Sequence, residues 1–182
     1  MDPLLYLWIA VGALVVLALI AIVWTVAASA SMRRLSGTVD ERWAALAATL
    51  DRRPAVAAPL LAHATEAQRA QVADAFTALE RAHAPGEKAA AEAAVQQALR
   101  PLVLAAASQP TGSDAAEARA ALAGLDDEAQ ARRRDYNTGA RELNAKARRF
   151  PTSLFAKSAG GRRDFFEVDQ TGAVAEPPRI QF

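Results

Sequence analysis

The residues able to do chemistry are few. The chain has 182 residues with only two histidines, His63 and His83, and no cysteine. His63 stands one helical turn before Glu66, but no further His or Cys lies near to complete a ligand set. Zinc sites need several such ligands and a supporting outer shell, so neither a metal nor another cofactor is expected. Without cysteine there is neither a thiolate ligand nor a disulfide framework. A serine nucleophile would need a base, and neither histidine lies in or beside a G-x-S-x-G context. Gly160-Gly161 before Arg162-Arg163 lacks the preceding strand and the Lys-Ser/Thr ending of a phosphate loop. The chain is therefore expected not to be an enzyme.

Two other groups of side chains stand out. Tyr136, Asn137 and Asn144 form the first, with the two Asn seven residues apart and so on one helical face. Amides at such spacing can hydrogen-bond across to a neighbouring helix and fix its register. These three residues are the candidate interhelix latch between a long C-terminal helix and the first helix. The alternative reading is a ligand or partner site. The second group is basic: Arg33, Arg34, Arg148, Arg149, Arg162 and Arg163. Near an anionic membrane each basic residue contributes about 1 kcal/mol of attraction, so these are the candidate lipid-headgroup contacts. The bland reading is a solvated helix face, with Arg132–Arg134 pairing with Asp126, Asp127, Glu128 or Asp135. A net charge of +1 argues against a nucleic-acid partner.

The elements that must position these groups begin with an apolar run. Pro3 to Met32 contains no Asp, Glu, Lys, Arg or His and stops at Arg33-Arg34. As a helix it would be roughly 45 Å long, against a hydrocarbon core of about 30 Å. Tyr6 and Trp8 near one end and Trp24 near the other fit interfacial belts. The flank after the run carries Arg33, Arg34 and Arg42, whereas the flank before it has only Asp2 and the amino terminus. Lys and Arg favour the cytoplasmic side, which predicts an N-terminus facing out. A cleaved signal peptide would place its charge on the other flank and have a shorter apolar core.

Beyond the run, Leu35, Val39, Trp43, Leu46 and Leu50 make one apolar helical face. Pro54 interrupts it, and a second helix follows to about His83, with a possible restart at the capping box Thr65-Glu66-Ala67-Gln68. A third covers about Glu87 to Ala107, with Pro101 expected to kink or divide it. A long fourth runs from an N-cap at Asp114 to about Arg149. Its seam is Ala118, Leu122, Leu125, Ala129, Arg132, Tyr136, Ala140, Leu143, Ala147 and Phe150, heptad-like with one stutter. No segment shows sustained alternation. The fold class is thus all-α: an N-terminal transmembrane helix continuing into an elongated antiparallel four-helix bundle, with an irregular C-terminal tail. The boundaries are 1–32 for the anchor, 33–150 for the bundle and 151–182 for the tail, whose Phe165-Phe166 and terminal Ile180 and Phe182 can dock back.

Several of these pieces together resemble the LemA family. They are Tyr136-Asn137, Asn144, Phe150-Pro151 and Phe165-Phe166-Glu167, preceded by Val39, Trp43, Leu50, Arg52-Arg53 and Pro59-Leu60 and closed by Ile180-Gln181-Phe182. The chain departs from the family pattern at Ala140 and Leu143, where Val and Tyr are usual. The resemblance implies a membrane-anchored, elongated helical bundle and points to no enzymatic activity, some relatives being concerned with organising bacterial membranes; the expected location is the bacterial inner membrane. The expected function is that of a non-catalytic single-pass scaffold or adaptor. The alternative is a regulator of a neighbouring membrane enzyme such as a protease. The expected partners are membrane lipid, a protein of unknown identity and further copies of the chain.

Overall fold

The computed structural model describes residues 3–150, 152–154 and 161–167. The fold is all-α, and there is no strand among the described residues. Helix α1 spans Pro3–Asp51, α2 Arg53–Leu61, α3 Glu66–Arg81, α4 Pro85–Ala106 and α5 Asp114–Ala147, and a short 3-10 turn covers Thr152–Leu154. Of these, α1 alone is long and apolar enough to cross a membrane. It runs unbroken from the apolar run into residues that pack inside the protein.

The local chemistry explains the boundaries. Pro54 occupies the first turn of α2, where its missing N–H is no loss, so it starts a helix after α1 ends. The second helix expected from the sequence is two, because the Thr65 capping box begins α3 afresh: Thr65 Oγ1 accepts from the Gln68 N–H while the Gln68 carboxamide accepts from the Thr65 N–H. Pro101 does not divide α4, which continues through it to Ala106. The N-cap of α5 is Ser113 rather than Asp114. Its hydroxyl accepts from the Ala116 N–H, and Asp114 and Glu117 lie in the first turn, where carboxylates complement the helix dipole.

By packing, the chain divides into two compact units: Met1–Glu41 with Thr138–Arg163, and Arg42–Asn137 with Asp164–Phe182. In the second unit Ala57, Leu60, Val72, Phe76, Leu79, Val95, Leu99, Leu102 and Leu122 form a continuous buried core drawn from α2 to α5. Leu46 and Leu50 of α1 are buried there too, and Met32 and Val39 are buried in the first unit. Along α5 the expected seam is buried at each position except Arg132 and Phe150, which are exposed. Arg132 stands 3.8 Å from Glu128 one turn away, an exposed pair of little energetic weight. Ile180 and Phe182 lie outside the described residues, as does the side chain of Tyr6.

Candidate functional site

In the first unit Asn144 is buried and grips the backbone of Arg163 from both sides. Its Nδ2 donates to the Arg163 carbonyl at 2.8 Å, and its Oδ1 accepts from the Arg163 N–H at 2.9 Å. The Arg163 guanidinium turns onto α1, donating through Nε to Asp40 Oδ1 at 3.0 Å and through a terminal nitrogen to Asp40 Oδ2 at 3.1 Å and Ser36 Oγ at 3.2 Å. A planar fork meeting a carboxylate in this way is the strong form of the ion pair. Two residues beyond Asn144, Lys146 Nζ donates to Ser31 Oγ near the end of the apolar run. The chain then turns, held by the Thr152 hydroxyl donating to the carbonyls of Lys146 and Arg149.

The second unit repeats the amide device with an aromatic partner. Asn137 Nδ2 donates to the Phe166 carbonyl at 3.1 Å and its Oδ1 accepts from the Phe166 N–H at 2.9 Å. The buried Tyr136 hydroxyl donates to the Asp164 carbonyl at 2.7 Å. Trp43 of α1 lies with its ring centroid 5.3 Å from Tyr136 and 6.2 Å from Phe166, both tilted. Such pairs add roughly 0.5–1.5 kcal/mol beyond the area they bury.

The structure thus gives the latch residues a different partner from the one expected. The amides of Asn137 and Asn144 meet the non-helical segment 161–167, not another helix. A primary amide carries a donor and an acceptor side by side, which matches the free N–H and C=O of an extended residue; inside a helix those groups already serve each other. Tyr136 alone reaches α1, through Trp43. Of the basic residues, Arg33, Arg34, Arg148, Arg149 and Arg162 are exposed and all belong to the first unit, while Arg163 is turned toward Asp40.

A further constellation, in the second unit, went unread in the sequence. Arg53 is buried at the start of α2, with one guanidinium nitrogen 2.6 Å from Glu92 Oε1 of α4 and 2.5 Å from Asp126 Oδ1 of α5. Lys88, also buried, reaches Asp51 Oδ1 at 3.0 Å. Thr49 Oγ1 and Arg52 both donate to Glu128. Arg53 and Asp126 also line an open groove of about 830 Å³ between α4 and α5, flanked by Arg100 and Arg119. The available signal was Glu92 itself, a single acid in the run Ala89-Ala90-Ala91-Glu92-Ala93-Ala94. His63 and His83 are exposed, and among the described residues no group of His, Asp and Glu gathers as a metal ion requires.

Burial pushes the Glu92 carboxyl above the usual carboxylate range; Arg53 and a hydrogen bond from Gln96 pull the other way without cancelling it. The folded chain therefore keeps a proton that the unfolded chain releases near its ordinary pKa of about 4.3. Stability from this group is fully present below that value and is lost as pH rises toward the folded pKa. A Glu92→Gln variant should accordingly gain on the wild type as pH is raised from acid toward neutral. The check is the difference between the two melting temperatures as a function of pH; a flat or oppositely sloped difference would refute the assignment.

The fold and these contacts define an all-α protein whose first helix is long enough and apolar enough to span a bilayer, and whose residues 163 to 166 are held to its last helix by side-chain amides. The family model described as the LemA family matches residues 44–182, and the chain belongs to the LemA family. Tyr136, Asn137, Asn144 and Phe166 fall within the matched stretch, whereas Val39, Trp43 and the apolar run precede it. A comparison with curated proteins found no match.

Proposed function

We propose that this chain is a non-catalytic, single-pass membrane protein serving as a scaffold or adaptor, with α1 fixing it in the bilayer and its remaining helices recruiting partners or organising membrane. The observation that carries this reading is the continuity of α1. Large side chains from Leu7 to Val26 stand exposed all round the helix, Trp8 at 70 % and Leu14 at 69 %. The same helix then enters protein packing at Met32, Val39, Leu46 and Leu50. A helix apolar on every side must be covered by something apolar, and its length suits lipid. The surplus of Arg at the C-terminal flank supports an outward N-terminus and a cytoplasmic location for the rest. The non-catalytic reading is supported by how the polar groups are used: Tyr136, Asn137, Asn144 and Arg163 bond to the chain's own backbone or side chains.

The test is proximity labelling from the C-terminus in living cells, which reports sidedness and neighbours together. The expected result is biotinylation of cytoplasmic and inner-membrane proteins, including recurring partners or further copies of this chain. Labelling confined to the outer compartment would overturn the orientation. A single membrane enzyme recovered at fixed stoichiometry would replace scaffolding with regulation of that enzyme.

A further inference from the structure

We infer that the end of α5 makes a second contact with the bilayer, in which Phe150 enters the interfacial region beside α1 while Arg148 and Arg149 meet anionic headgroups. This rests on the reading of α1 as a membrane anchor. Outside the apolar run Phe150 is the most exposed large apolar side chain described, at 76 %. The position of the α5 end relative to the run is fixed within the first unit by two contacts. Asn144 holds Arg163, whose guanidinium meets Asp40 and Ser36 of α1; Lys146 meets Ser31. From Asn144 to Lys146, therefore, α5 moves toward the apolar run.

Phe150 lies four residues after Lys146, in the turn that closes α5. The contact of Lys146 with Ser31 puts the start of that turn near the C-terminal end of the charge-free run, about two helical turns from Trp24. The turn that carries Phe150 is not loose. Arg148 and Arg149 donate backbone N–H groups to Ala145 and Lys146, Ser153 donates to the Arg149 carbonyl, and Thr152 caps the helix end. Exposed Arg148 and Arg149 flank the ring, and Arg33 and Arg34 stand exposed where α1 leaves the run. An exposed aromatic ring among arginines, in a turn that starts beside the end of the apolar run, has the chemistry of an interfacial anchor, with its apolar body at the acyl boundary and its charged neighbours at the phosphates.

The absence of cysteine makes a direct test clean, because each engineered Cys is the sole labelling site. The full chain is reconstituted in vesicles of phosphatidylcholine and phosphatidylglycerol, with a nitroxide at Phe150→Cys, Gly12→Cys or Gly37→Cys. Both glycines are helical with open space where a side chain would grow, so neither reference disturbs packing. Relaxation by oxygen, which concentrates in lipid, is compared with relaxation by a water-soluble nickel chelate. The expected result is that the label at 150 follows the one at 12, favouring oxygen, while the label at 37 favours nickel. If the label at 150 follows 37 while 12 remains in lipid, the second contact is refuted and the anchor stands. If the label at 12 is also in water, the anchor reading falls, and this inference with it.

Discussion

Truncating Arg53 to Ala should cost about 3–5 kcal/mol, because it strands a buried carboxylate. Arg53 is 2 % exposed and Glu92 5 %, so Glu92 has little access to water as a substitute partner. What remains for it is the Gln96 amide at 3.0 Å and the field of Lys88. The arm to Asp126 contributes little, since that side chain is 47 % exposed and its charge is screened. For a domain of this size the loss corresponds to a fall of about 6–20 °C in melting temperature. It should shrink in acid, where Glu92 can take a proton and be buried neutral. Removing both partners as Arg53→Met with Glu92→Leu should restore most of the stability, because an apolar pair of similar volume leaves no unpaired charge. Thermal unfolding of the full chain in micelles, followed by circular dichroism, decides it; a double variant as unstable as Arg53→Ala would show that packing at residue 53, not charge, is what matters. The ion cluster is already imperfect, since Arg53 Nε and Glu92 Oε2 are buried without a partner.

Replacing Phe166 by Ala should release the segment around it with a comparable cost, about 3–5 kcal/mol for a buried aromatic ring. The ring is 3 % exposed and faces Trp43, and the backbone of the same residue is gripped by Asn137. The expected outcome is local. Exchange of the Phe166 N–H should accelerate strongly and Trp43 fluorescence should move to the red, while the helical signal stays. Asn137→Asp is the milder companion. It keeps the acceptor for the Phe166 N–H but faces a carbonyl with an oxygen, leaving that carbonyl unpaired at about 1–3 kcal/mol. Slow exchange at Phe166 in both variants would show that the segment is held by something other than these contacts.

How much of this was legible depended on range in sequence. The helices were readable because their signals are local: a four-and-three apolar rhythm in α1 and α5, and the Thr65 capping box. Pro54 was equally local, a helix start as much as a helix stop. Tyr136, Asn137 and Asn144 were also visible as odd polar residues along a seam. Their partner was not, because an extended segment without alternation leaves no periodic trace, and the sequence offers a helix as the default neighbour. The charges fared worst. Arg53 meets Glu92 and Asp126, which are 39 and 73 residues away, and nothing near Arg53 distinguishes it from the exposed Arg52.

The paired amides of Asn137 and Asn144 have a consequence for the life of this protein among proteases. A peptidase binds its substrate as an added strand, through the free N–H and C=O of an extended stretch. Residues 161–167 are a described non-helical stretch, and at Arg163 and Phe166 both groups are already answered by an asparagine. At these two residues the asparagines thus occupy the backbone groups that an added strand would have to use.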